Sequence, residues 1–175
     1  GEGLAAMIGV AEKGYLSLRL QAQATGGHSS TPSQATAIGI LASAIDRMQK
    51  HKFPARVSAV LPMFEGLGAA ASPMMQLAFS NLWLFSGIIA SKLAKKPESD
   101  ATIRTTVAPT IIKGGVKDNV LPSMAEAVVN FRLLQGETIA KVCERVRKVI
   151  NDERVVIEPV ADKSCEAPPV SEGEC

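Results

Sequence analysis

Three side chains have types and positions suited to chemistry on a small acyl or carboxylate compound: His28, Asn119 and Arg132. His28 stands in Thr25-Gly26-Gly27-His28-Ser29-Ser30-Thr31-Pro32, a loop joining an alternating stretch to a periodic one. Paired glycines let a backbone adopt positive φ or approach another group closely. A histidine titrating near ~6.5 can serve as acid, base, ligand or hydrogen-bond donor at neutral pH. Asn119 opens the turn Asn119-Val120-Leu121-Pro122, and Arg132 lies 13 positions further on. The guanidinium is a planar fork for a carboxylate, while Asn and His both donate to a developing oxyanion. Together the three could grip an acyl-amino-acid. The set lacks a nucleophile, a base partner and a metal cage, so it cannot complete a hydrolysis unaided.

The elements that must carry these residues follow from periodicity. Residues 14–24 alternate, with Leu16, Leu18, Leu20, Ala22 and Ala24 on one side and Tyr15, Ser17, Arg19, Gln21 and Gln23 on the other. That is a strand with one face on a core. Thr31-Pro32-Ser33-Gln34 reads as a capping box with Pro in the first turn, predicting a helix from Ser33 to Lys50. Its apolar stripe is Ala37, Ile38, Leu41, Ala44, Ile45 and Met48, and His51 follows at the cationic end.

Residues Ala101–Ile112 are rich in Thr, Ile and Val and predict a second strand. Alternation returns from Ala125 to Leu134, with Arg132 on the polar face. Thr138 then caps a second amphipathic helix, which holds Cys143 in its apolar stripe. Val155–Val160 predicts a fourth strand, and the polar residues from Ala161 onward predict a linker or tail.

An insertion of about residues 53–100 interrupts this order. Leu67–Ser91 contains no charge and includes Met74, Met75, Phe79, Trp83, Phe85, Ile88 and Ile89. Pro73 and several polar residues break it up, which favours two short helices over a membrane span. Strand, helix, insertion, strand, strand, helix, strand is the ferredoxin-like order. The expected fold is therefore an α+β two-layer sandwich, a four-stranded antiparallel sheet with two helices on one face.

Composition narrows the function. With 175 residues the chain can bury its own core, and 46% hydrophobic with 21% charged residues is ordinary for a globular domain. A net charge of +2 gives no basic footprint for nucleic acid, and the strand faces lack paired aromatics for RNA. The three cysteines and two histidines fall at neither disulfide-framework nor zinc-site spacings.

The run Gly27-His28-Ser29-Ser30-Thr31-Pro32, followed by Thr36-Ala37-Ile38-Gly39, resembles the lid domain of zinc metallopeptidases of the acetylornithine deacetylase, succinyl-diaminopimelate desuccinylase and carboxypeptidase S family. Asn119-Val120-Leu121-Pro122 matches that family's Asn-Val-Ile-Pro turn, and Arg132 falls where its strand arginine does. Asn81-Leu82-Trp83-Leu84-Phe85, Ile103-Arg104-Thr105-Thr106 and Gly115-Val116-Lys117 are most similar to the carboxypeptidase S branch, which includes enzymes of N-fatty-acyl amino acids.

The resemblance implies residues 1–13 as a linker from a missing catalytic domain, 14–160 as a lid and dimerisation domain, and 161–175 as a linker or tail. It implies two zinc ions in that catalytic domain and none in this chain. His28 is implied to reach a partner subunit's site as oxyanion donor, Asn119 to position the substrate, and Arg132 to pair with its carboxylate. The substrate would be a small peptide or N-acyl amino acid. A homodimer through the strand Ala101–Ile112 and the first helix is implied too, and the lid alone would be inactive. The alternative is a stand-alone dimerising or small-ligand-binding ferredoxin-like module.

Overall fold

The computed structural model describes residues 12–60, 77 and 81–168. Its centre is a pair of ten-residue strands, β1 (Gly14–Gln23) and β5 (Met124–Leu133), antiparallel from Gly14 opposite Leu133 to Gln23 opposite Met124. Alternation in both strands puts Leu16, Leu18, Leu20, Ala22, Ala127, Val129, Phe131 and Leu133 out of contact with water. Strands β3 (Thr106–Lys113) and β6 (Val155–Cys165) complete a sheet in the order β3-β5-β1-β6, all neighbours antiparallel. Helices α1 (Ala37–Lys50) and α4 (Ile139–Ile150) cover one face, burying Ile40, Leu41, Met48, Val142, Val146 and Ile150 with the strand residues in one core. The expected ferredoxin-like two-layer sandwich is the observed fold.

Helix α1 starts later than the capping-box reading placed it. Thr36, not Thr31, is the N-cap, its hydroxyl accepting from the Gly39 amide at 3.1 Å. Residues 31–36 are irregular, and the Ser33 hydroxyl donates to the Ala35 carbonyl instead of capping a helix. Two Thr-led starts compete here, and the one whose hydroxyl meets an orphan amide wins. The apolar stripe shifts accordingly. Ile40 is buried while Ile38 is 44% exposed, lying against Gly114.

The expected strand Ala101–Ile112 also splits. Pro97–Ile103 is helix α3, with Pro in its first turn and Glu98 and Asp100 beside its N-terminus; the strand begins at Thr106. Those helix-start signals outweigh the β-branched residues that follow. Before α3, the insertion forms a 3-10 turn at Val57–Val60 and helix α2 at Leu82–Leu93. Met74, Met75 and Phe79 lie outside the described residues. Val57, Val60 and Ile103 make a second small core beneath α2, whose outer face leaves Trp83, Leu84 and Ile88 more than half exposed.

Polar bonds tie the insertion to the sandwich. Asp100 is nearly buried between Lys52 Nζ at 3.0 Å and Arg104 Nε at 2.6 Å, and Lys13 Nζ donates to the Ala101 and Arg104 carbonyls. Burial holds the Lys13 ammonium below its ordinary pKa, against the opposing pull of Asp100. No helix among the described residues is long and apolar enough to cross a membrane.

At the other edge, β6 continues five residues into the segment expected to be a tail. Its register against β1 shifts between Leu16 and Leu18, and Asp162 takes a left-handed φ of 57° before Ser164 and Cys165 rejoin Leu16 and Tyr15. Pairing at a sheet edge uses backbone groups, so polar side chains do not end it. Gly14 sits against this return: a Cβ there would meet the Ala167 amide nitrogen at 2.5 Å. Cys143 is buried in the α4 stripe, and desolvation raises its thiol pKa. Asp152, just after α4, has its pKa pulled down to about 2 by hydrogen bonds from Arg154.

Thr36→Ala should lower stability by about 1 kcal/mol in urea unfolding, whereas Thr31→Ala should stay within about 0.5 kcal/mol of the parent chain. Equal losses would contradict the position of the cap.

Candidate functional site

Beyond Gln23 and Met124 the β1–β5 pairing does not stop. The Ala24 amide donates to the Ser123 carbonyl at 3.0 Å, and a two-stranded ribbon follows, β2 (Gly27–His28) against β4 (Val120–Leu121). Of the two glycines, Gly26 serves close approach, and neither takes a positive φ. A Cβ on Gly26 would stand 3.0 Å from the Leu121 carbonyl oxygen, while around Gly27 there is open space. The Asn119 turn is thus half strand, and its backbone meets the histidine loop directly. The Ser29 amide donates to the Asn119 carbonyl at 3.1 Å, and His28 pairs in register with Val120.

His28 is exposed at the tip of this ribbon. Its Nδ1 faces Ser30, whose hydroxyl oxygen lies 2.8 Å away and whose amide donates at 3.3 Å. A turn closed by the Thr31 amide on the His28 carbonyl, at 3.1 Å, folds Ser30 back onto the ring. Asn119 is exposed beside it. The ribbon tip therefore carries an exposed imidazole and, one residue beyond its paired Val120, an exposed side-chain amide, two groups able to donate to an oxyanion.

Arg132 is not part of that pair. It lies opposite Tyr15 near the other end of β5, eight residues from Met124, or ~26 Å along the strand. Its side chain is exposed on the open face of the sheet, as its parity predicts, with the guanidinium carbon 4.8 Å above the centre of the Tyr15 ring. Thr106, where the insertion rejoins the sheet, flanks it on the other side. The Tyr15 hydroxyl accepts from the Ser17 hydroxyl at 3.3 Å, and Asn130 Nδ2 reaches the same Ser17 oxygen at 3.4 Å. Ser30 and Tyr15 are neighbours that residue spacing did not single out. For Tyr15 the signal lay in strand parity, which requires the register that only the paired strands supply.

Among the described residues no three His, Cys, Asp or Glu side chains are grouped so as to hold a metal ion. His51, at the end of α1, is exposed with Nδ1 2.8 Å from the Arg47 carbonyl oxygen, far in sequence from the ribbon.

Residues 10–157 match the peptidase dimerisation domain of the M20 family. The chain belongs to that family. This dimerisation domain is 39% identical over 157 residues to a probable carboxypeptidase S-like 2 from Dictyostelium discoideum. It is 40% identical over 160 residues to the human N-fatty-acyl-amino acid synthase/hydrolase PM20D1. The two alignments cover 90% and 86% of this chain but only 30% of each relative, so the dimerisation domain spans less than a third of their length.

Solved structures agree on the fold. Human carnosine dipeptidase 1 superposes with a TM-score of 0.53 at 8% identity, covering 90% of this chain and 38% of that one. The aminobenzoyl-glutamate utilization protein from Klebsiella pneumoniae gives 0.52 at 14%, covering 89% and 30%. The two sequence relatives are named as a carboxypeptidase and as a synthase/hydrolase, and the dimerisation domain matches one part of each.

Gly26→Ala should push Leu121 away and open the Ser29–Asn119 hydrogen bond. The expected result is faster amide exchange at Ser29, with the core amides of β1 and β5 unchanged. Unchanged protection at Ser29 would show that the ribbon tolerates the methyl group.

Proposed function

We propose that this domain is the lid of a hydrolase acting on peptide or N-acyl-amino-acid amide bonds, and that each working site draws on two copies of it. The observation that carries this reading is the separation of the polar groups. His28 and Asn119 share one tip while Arg132 stands near the opposite end of the same sheet, ~26 Å or more away along the strands. One small substrate cannot touch both in a single chain. A two-fold pair of lids supplies the His28–Asn119 tip of one copy to the site served by Arg132 of the other.

In that arrangement His28 donates to the developing oxyanion, Asn119 holds the substrate amide, and Arg132 pairs with a terminal carboxylate. Two zinc ions, supplying an activated water, would belong to the catalytic part of the parent protein, since the described residues here do not fit a metal. The lid alone would be inactive. The outer edge of β3, which has no paired strand among the described residues, and the exposed Ile111 and Ile112 support dimerisation through that strand and the neighbouring α1, continuing the sheet across the two-fold.

Mixing separately inactive His28→Ala and Arg132→Ala versions of the parent enzyme tests the sharing of sites. Random re-pairing should restore about one quarter of wild-type activity, because half the dimers are mixed and each has one intact site. No recovery, with mixed dimers shown to form, would place both residues at one site in one chain.

The insertion supports a preference for apolar acyl groups. Trp83 is 83% exposed, with Leu84 and Ile88 exposed beside it, on a segment that rejoins the sheet next to Arg132. An exposed surface of this kind favours a long apolar chain over water. Trp83→Ala in the parent enzyme should reduce kcat/KM several-fold for long N-acyl substrates and little for short ones. Equal losses on both would make α2 a packing element only.

A further inference from the structure

A neutral imidazole carries one N–H, and its position decides whether the exposed nitrogen donates or accepts. For His28 the neighbours decide it. Nδ1 receives the Ser30 backbone amide at 3.3 Å, and an amide can only donate; the Ser30 hydroxyl, 2.8 Å from the same nitrogen, can donate as well. Nδ1 therefore presents its lone pair, and the ring proton sits on Nε2, on the side of the ring away from Ser30. His51 provides the opposite case within the same chain. Its Nδ1 lies 2.8 Å from the Arg47 carbonyl oxygen, which only accepts, so there Nδ1 must carry the proton.

We propose that Ser30 is a positioning residue that holds neutral His28 in the Nε2–H tautomer, with the donor aimed outward from the ribbon tip. The idea rests on the reading of His28 as an oxyanion donor. For that task the tautomer matters, since the other form would turn a lone pair toward a developing negative charge. The turn His28-Ser29-Ser30-Thr31 brings Ser30 into place, and the Ser29–Asn119 bond anchors that turn to β4. Ser30 thus acts through the imidazole.

The test begins with this chain itself, labelled with 15N-histidine and studied by NMR above the imidazole titration range. With two histidines, a His51→Gln variant assigns both. Long-range couplings should show His28 protonated at Nε2 and His51 at Nδ1. In Ser30→Ala only the longer amide contact remains, so an Nδ1–H population should appear at His28, and Ser30→Thr should suppress it. In the parent enzyme Ser30→Ala should lower kcat about tenfold with KM little changed, with recovery in Ser30→Thr.

A wild-type His28 protonated at Nδ1 overturns the proposal. So does a tautomer ratio identical in wild type and Ser30→Ala. If His28→Ala abolishes activity while Ser30→Ala changes neither tautomer nor kcat, the donor role stands and the positioning role falls. If His28→Ala leaves kcat intact, the catalytic reading fails, and the positioning role fails with it.

Discussion

The antiparallel pairing of β1 with β5 determines where everything else stands. Ten consecutive residue pairs from Gly14–Leu133 to Gln23–Met124 hold both strands in one register. A slip of one residue would turn every side chain to the other face. It would drive Arg132 and Tyr15 into the layer filled by Phe131, Leu16 and the two helices. The burial of so many large side chains therefore specifies the outward position of polar ones. The same pairing, carried past the sheet as the β2–β4 ribbon, sets His28 against Val120 and brings the Asn119 backbone to Ser29. Core packing and site geometry are two readings of one ladder.

Because that ladder is long, it separates as well as aligns. The His28–Asn119 tip at one end and the Arg132 guanidinium near the other are kept apart by paired β structure. That separation underlies the proposal of a site assembled between molecules. The guanidinium is further held by the Tyr15 ring beneath it, a contact that restricts Arg132 without consuming its hydrogen-bond donors.

The insertion is secured differently. Among the described residues its own core is small, and much of its attachment is polar: Asp100 between Lys52 and Arg104, the Lys13 ammonium on two carbonyls, and Arg56 on Glu137 at 3.0 Å. Such bonds fix an orientation while leaving apolar surface uncovered. That is why Trp83 can stay exposed on an otherwise ordered helix.

Local periodicity was enough to read much of this in the chain. Strict alternation located β1 and β5, threefold and fourfold spacing located α1 and α4, and the order of elements implied the two-layer sandwich. His28, Asn119 and Arg132 stood out because their types and turn positions are chemical, and parity already turned Arg132 outward. Less was legible where two local signals competed. Thr31 and Thr36 both offer a cap, Pro97 begins a helix inside a β-branched stretch, and polar residues 161–165 pair through backbone alone.

The partners of the site residues were decided by tertiary structure. That the His28 loop pairs with the Asn119 turn, that Arg132 stands far from both and over Tyr15, and that Ser30 folds back on the imidazole depend on contacts between distant segments or on how a turn closes. Periodicity reports which face a residue occupies. Only the paired strands determine its neighbour across the sheet, because register is set by the whole buried surface at once.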